Sequence, residues 1–343
     1  MSSDRPIFVV GCPRSGTTMV QLMLHAHARI AIPPESRFLL TAYARRHTWG
    51  DLRDESRRRA LADWIVATPS FGDLGLDPGR TAESIVAAPP TLGSAVGTVF
   101  RLYAQRFGKP RWGDKRPAYL RHLPEVLRLF PDAQIINIVR DGRDCVASLK
   151  EAPWRPREFG ELVDFWARSA DATLRARRIY PPDVYHQIRY EDLVADPERH
   201  LRVLCEFLGE DYDPAMAEPS RQAAVAVPEY KTWHTRTHQA VTTERVRSWQ
   251  ERLTAEEIAV CESVFGARLE RFGYERSAAA KPDRVAHAWL AARDRLGPVR
   301  RLAGDVIATV RTGNRVPEMA ARLTTGQRES QSSRISMEST RSG

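Results

Sequence analysis

The sequence predicts an α/β fold with a P-loop-like central parallel β-sheet flanked by helices. Two observations support it. Apolar runs that suit buried strands lie at residues 7–10 and 134–139, with a third strand predicted at 184–190, and segments with helical periodicity follow these strands. Alternation of strands and helices is typical of a parallel sheet. We also expect a mostly helical insert at about residues 38–110 and a C-terminal helical appendage at residues 276–323.

The length and charge of the chain limit its organisation and partners. The 343 residues suffice for one large domain, which we predict over residues 1–275. A net charge of +9 can indicate nucleic acid binding. However, residues 276–343 contain 13 Lys and Arg against 6 Asp and Glu, which leaves a net charge of only +2 on the predicted domain. We therefore expect no nucleic acid partner.

The C-terminal segment has a character of its own. Residues 276–323 show a basic amphipathic pattern that is interrupted at Gly297-Pro298. We expect helices that pack on the domain, contact a second copy of the chain, or lie on an anionic membrane surface. Residues 324–343 are rich in Ser, Arg and Gly and are expected to be disordered.

Cysteine usage and hydropathy indicate a cytoplasmic protein without a metal site. The four cysteines are scattered and form no C-x-x-C pair: Cys12, Cys145, Cys205 and Cys261. This pattern favours neither a disulfide framework nor a zinc site. The first strand begins too early to leave room for a signal peptide, and no apolar run approaches the ~20 residues of a membrane span.

The turn after the first strand has the spacing of a phosphate-binding loop. Gly11 and Gly16 are spaced as in G-x-x-x-x-G-K-[ST], but Thr17 stands where that motif has lysine. The N–H groups of such a loop and of the following helix, predicted to open at Met19, bind anions. Arg14 is the nearest cation. The sequence thus predicts an anion site that lacks the lysine with which ATP is held.

A second candidate anion site follows the strand at residues 134–139. Arg140 lies at its carboxyl end, the edge where open α/β sheets bind ligands. Ser148 lies two turns along the next helix and can complete an anion contact with Arg140. Asp141 or Asp144 can cap that helix. The structural alternative is a helix cap with internal ion pairs.

Two more charged residues lie in polar segments. Glu35 follows a pair of prolines after the first helix, where the chain can return toward the anion site; a solvated loop acid is the alternative. Lys115 is one of five lysines in an arginine-rich chain and lies in residues 111–117, predicted to be a polar turn.

Other elements follow from periodicity and capping signals. Helices are predicted at 124–130, 158–180, 197–208 and 254–271, the last opened by a capping box of Thr254 and Glu257. Residues 68–80 are predicted to form a surface loop and residues 210–245 an irregular segment.

Taken together, the motifs resemble those of sulfotransferases that use 3′-phosphoadenosine 5′-phosphosulfate (PAPS). Residues 8–18 resemble the 5′-phosphosulfate loop and residues 138–148 the 3′-phosphate motif. Further matches occur in the expected order, at residues 34–37, 115–117, 130–133 and 190–199. The resemblance is strongest to the branch that contains tyrosylprotein sulfotransferases and many bacterial enzymes.

The resemblance implies PAPS as donor, adenosine 3′,5′-bisphosphate (PAP) as product, and no required metal. It assigns the 5′-phosphosulfate to loop residues: Arg14, Ser15, Gly16, Thr17 and Thr18. It assigns the 3′-phosphate to Arg140 and Ser148 and places Tyr190 beside the nucleotide.

The resemblance also implies the chemistry. Glu35 is the general base for an acceptor hydroxyl, and Lys115 and Arg14 neutralise the charge that develops during transfer. We expect a small-molecule, carbohydrate or lipid acceptor. The family's later nucleotide-closing segment has a loose counterpart at residues 235–249, where Arg236, Thr237 and Trp249 are candidate site residues.

Two other functions remain as alternatives. A divergent P-loop kinase using Mg-ATP is one, although the missing loop lysine argues against it. A non-catalytic protein that binds a nucleotide, or nucleic acid through its basic C-terminal segment, is the other.

Overall fold

A five-stranded β-sheet forms the centre of the computed structural model, which describes residues 4–152, 158–222 and 241–277. The strands are β1 (Ile7–Gly11), β2 (Ile30–Ala31), β3 (Arg111–Lys115), β4 (Gln134–Val139) and β5 (Tyr185–Arg189). They are arranged in the order β2-β3-β1-β4-β5, and every neighbouring pair is parallel. The predicted central parallel sheet is confirmed.

The middle strand, β1, sets the position of the neighbouring strand ends. Its five residues are all buried, as expected for an apolar strand covered on both faces. Val9 is level with Lys115 of β3, and Gly11 is level with Ile138 of β4. Because the strands are parallel, their carboxyl ends lie at one edge of the sheet. At this edge lie the loop after Gly11, Lys115 at the end of β3, and the residues that follow β4.

The sequence prediction misses two strands, β2 and β3. Residues 111–117 are not a polar turn as predicted, because Arg111–Lys115 is a fully buried strand. Its polar side chains have partners from distant parts of the chain: the Arg111 guanidinium lies 3.1 Å from the Glu210 carboxylate. The two residues of β2 pair with β3 and extend the sheet by one short strand.

Helices flank the sheet. In chain order they are α1 (Thr17–Ala26), α2 (Phe38–Ala44), α3 (Glu55–Val66), α4 (Pro69–Gly72), α5 (Pro78–Ala87), α6 (Leu92–Arg106), α7 (Leu123–Leu129), α8 (Gly142–Lys150), α9 (Phe159–Ile179), α10 (Tyr190–Ala195) and α11 (Pro197–Leu208). Further helices span Trp249–Arg252, Ala255–Phe265 and Ala267–Arg271. Short 3₁₀ turns lie at Arg46–Thr48, Pro117–Arg121, Pro214–Ala217 and Pro219–Gln222.

Local signals place several helix ends correctly. The Asp196 side chain accepts a hydrogen bond from the Arg199 N–H at the start of α11, and Gly209 ends it with a left-handed φ of 72°. The capping box of Thr254 and Glu257 is also present.

Other boundaries differ from the prediction. The helix predicted over residues 254–271 is two helices, because Gly266, at φ 52°, interrupts it. α1 begins at Thr17 rather than at Met19. The predicted surface loop 68–80 contains the short helix α4.

The insert consists of helices α2 to α6, which pack on one part of the sheet. Aromatic rings join them to it: Phe100 stacks on Phe38 and on Trp112 of β3, both at 5.5 Å between ring centroids. Phe8 of β1 lies 6.3 Å from Trp112 in an edge-on contact. The contact of Phe38 holds the start of α2, immediately after the loop that carries Glu35.

Some predictions fall outside the described residues. Arg236, Thr237, the tail at 324–343 and all but the first two residues of the appendage at 276–323 lie there. Within the described ranges, no helix combines the length and the apolar character that crossing a membrane requires.

Candidate active site

The loop between β1 and α1 forms a tight turn that exposes backbone N–H groups. The Ser15 hydroxyl donates to the Cys12 carbonyl at 2.6 Å, and the Ser15 N–H donates to the same oxygen at 3.1 Å. The first helical hydrogen bond runs from the Val20 N–H to the Gly16 carbonyl at 3.1 Å. The N–H groups of Thr17 and Thr18 precede it and are available to an anion.

Gly16 is required by both backbone and space. It caps α1 with a left-handed φ of 103°, which side-chain-bearing residues rarely adopt. A Cβ atom at this position would lie 2.8 Å from Cδ2 of Tyr190. The structure therefore brings Tyr190, at the start of α10, directly against the loop.

Arg140 contacts the same ring. Its guanidinium stacks on Tyr190 at 4.3 Å from the ring centroid, and the residue is only 6% exposed. Nη1 donates to the Arg14 carbonyl at 3.1 Å, and Nη2 donates to the Arg245 carbonyl at 2.6 Å. Nε is buried without a hydrogen-bond partner in the described part of the chain. A buried donor of this kind suits a bound anion.

Ser148 contacts Arg14 instead of Arg140, the partner expected from the sequence. The Nε of Arg14 donates to the Ser148 hydroxyl at 2.9 Å, so the loop is joined to α8. Burial lowers the pKa of Arg14, and the nearby charge of Arg140 lowers it further. An anion bound between the two guanidinium groups would relieve this repulsion.

Glu35, Lys115 and Thr18 meet at the N-terminus of α1. The Lys115 side chain is 5% exposed, and its Nζ lies 3.5 Å from Thr18 Oγ1 and 3.5 Å from Glu35 Oε2. Arg116 lies on the other side of the carboxylate, with Nε 3.9 Å from Glu35 Oε1. The Glu35 side chain is 28% exposed. The loop after the paired prolines thus returns to the anion site, and Glu35 is not a solvated loop acid.

Lys115 brings a lysine ammonium group to the loop from another strand. A P-loop lysine would occupy position 17, where this chain has Thr17. Here the ammonium group comes from the carboxyl end of β3 and reaches Thr18 instead.

Asp141 and Asp144 have different tasks. Asp141 caps α8 by accepting from the Arg143 N–H at 2.9 Å. Asp144 accepts from the N–H groups of Arg247 and Trp249, at 3.0 and 2.8 Å, and its carboxylate lies 3.7 Å from the Arg140 guanidinium. Asp144 therefore attaches the segment that contains Trp249 to the helix beside Arg140.

The candidate site residue Trp249 packs against Arg143. The ring is covered by the Arg143 guanidinium at 3.9 Å, and the residue is buried. Its Nε1 has no hydrogen-bond partner among the described residues.

Sequence reasoning missed a buried carboxyl group behind Lys115. Asp114 is fully buried, and it accepts hydrogen bonds from the Ser36 hydroxyl at 2.6 Å, from the Tyr119 hydroxyl, and from the Lys115 N–H at 2.9 Å. Burial raises the pKa of Asp114 to about 6, although these hydrogen bonds oppose the rise. The only sequence signal was its place next to Lys115.

No metal centre is found in the ranges that the structure describes. No group of His, Cys, Asp and Glu side chains there has an arrangement that could hold a metal ion. The four cysteines are free and buried.

Comparison with known proteins gives consistent matches. The model of the Sulfotransferase family matches residues 6–214. Protein-tyrosine sulfotransferase 1 of Danio rerio is 26% identical over 223 residues, 63% of this chain and 56% of that protein. The chain therefore matches little more than half the length of this relative. Omega-hydroxy-beta-dihydromenaquinone-9 sulfotransferase Stf3 of Mycobacterium tuberculosis (strain CDC 1551 / Oshkosh) is 26% identical over 320 residues, 80% of this chain and 76% of that protein.

Solved structures share the fold. The sulfotransferase domain from the curacin biosynthetic pathway has a TM-score of 0.58 and 20% identity, covering 81% of this chain and 100% of that domain. The sulfotransferase domain of the Synechococcus PCC 7002 olefin synthase has a TM-score of 0.53 and 25% identity, covering 80% and 97%. The family match spans more than half of the chain and includes the loop and every residue of the site from Arg14 to Tyr190. This chain belongs to the sulfotransferase family, a family of group-transfer enzymes.

Proposed function

We propose that the protein transfers a sulfuryl group from PAPS to the hydroxyl group of an acceptor. The observation that carries the proposal is the meeting of Thr18, Lys115 and Glu35 at the N-terminus of α1. A cation and a carboxylate thereby lie beside a backbone anion site. This combination suits transfer of an anionic group to a nucleophile that must lose a proton.

The donor would be held at both of its anionic ends. The loop residues from Ser15 to Thr18, through the N–H groups of Thr17 and Thr18, and the Arg14 side chain would bind the 5′-phosphosulfate. Arg140 would bind the 3′-phosphate through its Nε, which has no partner among the described residues, and Ser148 would assist through its contact with Arg14. Tyr190, which lies close to both Gly16 and Arg140, would pack against the nucleotide.

The transfer step would proceed in line at sulfur. The acceptor oxygen forms a bond to sulfur while the bond from sulfur to the bridging oxygen breaks, and PAP leaves with the electron pair of that bond. Glu35 takes the acceptor proton, and its partial exposure leaves the carboxylate accessible to an incoming hydroxyl. Lys115 and Arg14 stabilise the negative charge that develops on the bridging oxygen and the sulfuryl group.

For the acceptor we propose a hydroxyl group of a small molecule, a carbohydrate or a lipid. The mycobacterial relative, which by its name acts on the hydroxyl of a modified menaquinone, matches this chain over 80% of its length. The protein-tyrosine relative matches only 63%. For the basic residues 276–323 we propose contact with a second copy of the chain or with an anionic membrane surface, and we expect no nucleic acid partner.

The test is transfer of label from [³⁵S]PAPS to a panel of acceptors in the presence of EDTA. The panel contains a phenol, a disaccharide, a long-chain alcohol and a tyrosine peptide. We expect labelled product from at least one of the first three. Transfer only from [γ-³²P]ATP with Mg²⁺ would instead identify a kinase. If deletion of residues 276–343 abolished the main activity while Glu35→Ala left it unchanged, the protein would instead be a non-catalytic protein that binds a nucleotide or nucleic acid.

A further inference from the structure

We infer that Ser36 and Asp114 are positioning residues whose hydrogen bond sets the distance between Glu35 and Lys115. This inference rests on the proposed roles of Glu35 and Lys115 in sulfuryl transfer. Neither Ser36 nor Asp114 is itself proposed to contact the donor or the acceptor. We call their contact, with its 2.6 Å separation, the Ser36–Asp114 bridge.

The four residues form a closed ring. Glu35 is covalently followed by Ser36, and Asp114 is covalently followed by Lys115. The Ser36 hydroxyl donates to Asp114 Oδ2 at 2.6 Å, and the Lys115 ammonium closes the ring at 3.5 Å from Glu35 Oε2. Because two sides of the ring are peptide links, the bridge determines how far Glu35 can move away from Lys115.

The bridge is protected from water and well anchored. Ser36, Asp114 and Tyr119 are all fully buried. The Tyr119 hydroxyl donates to the same Asp114 oxygen as Ser36, and the Lys115 N–H donates to the other oxygen at 2.9 Å. A buried hydrogen-bond network of this kind holds its members in one geometry.

Asp114 forms no ion pair with another residue of the described ranges, which points to a geometric task. A buried carboxylate costs considerable free energy unless its oxygens are hydrogen-bonded, and here three donors satisfy it. Adjacent residues of a strand point to opposite faces, so Asp114 points away from the face on which Lys115 meets Glu35.

The loop that carries Glu35 needs such an anchor. It lies between β2 and α2, outside regular structure, so no ladder of backbone hydrogen bonds holds it. The Gln21 side chain donates to the Pro33 carbonyl at 2.8 Å and anchors one end. The Ser36–Asp114 bridge anchors the other end, immediately after Glu35.

The first test compares Ser36→Ala with a matched control, Ser169→Ala. Ser169 is also buried, but its hydroxyl donates to the Phe165 carbonyl within α9. We expect Ser36→Ala to lower kcat by about 10- to 100-fold, because small displacements of a reacting group have effects of this size. The Kd of PAP should not change, and Ser169→Ala should keep the wild-type kcat. An unchanged kcat in Ser36→Ala would overturn the inference.

A double-mutant cycle separates positioning of Glu35 from a general structural role. If Ser36 acts through Glu35, the double variant Glu35→Gln with Ser36→Ala has the same residual rate as Glu35→Gln alone. If the rate losses of the two single variants multiply in the double variant, the inference is overturned. If Glu35→Gln alone keeps wild-type activity, the proposed function of Glu35 fails and the inference fails with it.

Substitutions of Asp114 test whether geometry or charge matters. In Asp114→Asn the amide oxygen can accept from the Lys115 N–H, and the two amide hydrogens can be donated to the Ser36 and Tyr119 oxygens. We therefore expect Asp114→Asn to retain most of kcat, whereas Asp114→Ala loses as much as Ser36→Ala. Equal losses in Asp114→Asn and Asp114→Ala would overturn the geometric role.

Discussion

Substitution of Arg140 by alanine distinguishes the 3′-phosphate site from the 5′-phosphate site of the proposed donor complex. The guanidinium is buried, and its Nη atoms are bound to the carbonyls of Arg14 and Arg245, whereas its Nε has no partner in the described part of the chain. A hydrogen bond to a charged group contributes about 1.5–3 kcal/mol. Since each 1.4 kcal/mol is tenfold, one such bond to the 3′-phosphate makes the PAP affinity of Arg140→Ala about 10- to 150-fold weaker.

The assay is isothermal titration calorimetry without Mg²⁺, with PAP and with AMP. AMP lacks the 3′-phosphate and provides a control on the ligand side. We expect Arg140→Ala to weaken PAP binding by the stated factor and to leave AMP binding nearly unchanged, because the loop from Ser15 to Thr18 binds the 5′-phosphate of both. Equal losses for PAP and AMP, or no loss for PAP, would refute the assignment of Arg140.

A protein-side control accounts for damage to the fold. Arg140 also stacks on Tyr190 and lies 3.7 Å from the buried Asp144, so its removal is expected to lower Tm. Arg268→Ala removes another guanidinium, whose Nε lies 2.7 Å from the Asp171 carboxylate. Neither residue belongs to the candidate site. Arg268→Ala should keep both affinities, whatever its effect on Tm.

Three further substitutions test other parts of the structure. Lys115→Ala should lower kcat by about 10²- to 10³-fold, the range for loss of a transition-state donor, with the Kd of PAP little changed in calorimetry. Gly16→Ala should weaken PAP binding and lower the free energy of unfolding by about 1–3 kcal/mol, because φ is 103° and the new Cβ would lie 2.8 Å from the Tyr190 ring. Thr254→Ala removes the capping box and should lower the free energy of unfolding in urea by about 1 kcal/mol, while kcat stays at the wild-type value.

The central strands of the sheet could be predicted because a strand that is buried on both faces has a run of apolar residues in its sequence. β1 and β4 are buried along their whole length, and their apolar runs mark them in the sequence. β3 is equally buried, but Arg111 and Asp114 conceal it. Their partners Glu210 and Ser36 are 99 and 78 positions away, and such pairs have no signature in a local window.

The candidate site residues follow from the resemblance more than from local patterns. Gly11 and Gly16 indicate an anion loop by spacing alone, since that loop depends on backbone geometry. Nothing local pairs Glu35 with Lys115, because their approach depends on the order of β2, β3 and β1 in the sheet. For the same reason the contact of Ser148 with Arg14, rather than with Arg140, became visible only in the folded chain.

The most direct test of the central claim is the sulfuryl transfer rate of Glu35→Gln at saturating PAPS. Glutamine keeps the size of the side chain but cannot take the acceptor proton. We predict a fall in kcat of about 10²- to 10⁴-fold, the usual contribution of a general base, with the Kd of PAP unchanged in calorimetry. A wild-type kcat in Glu35→Gln would contradict the account.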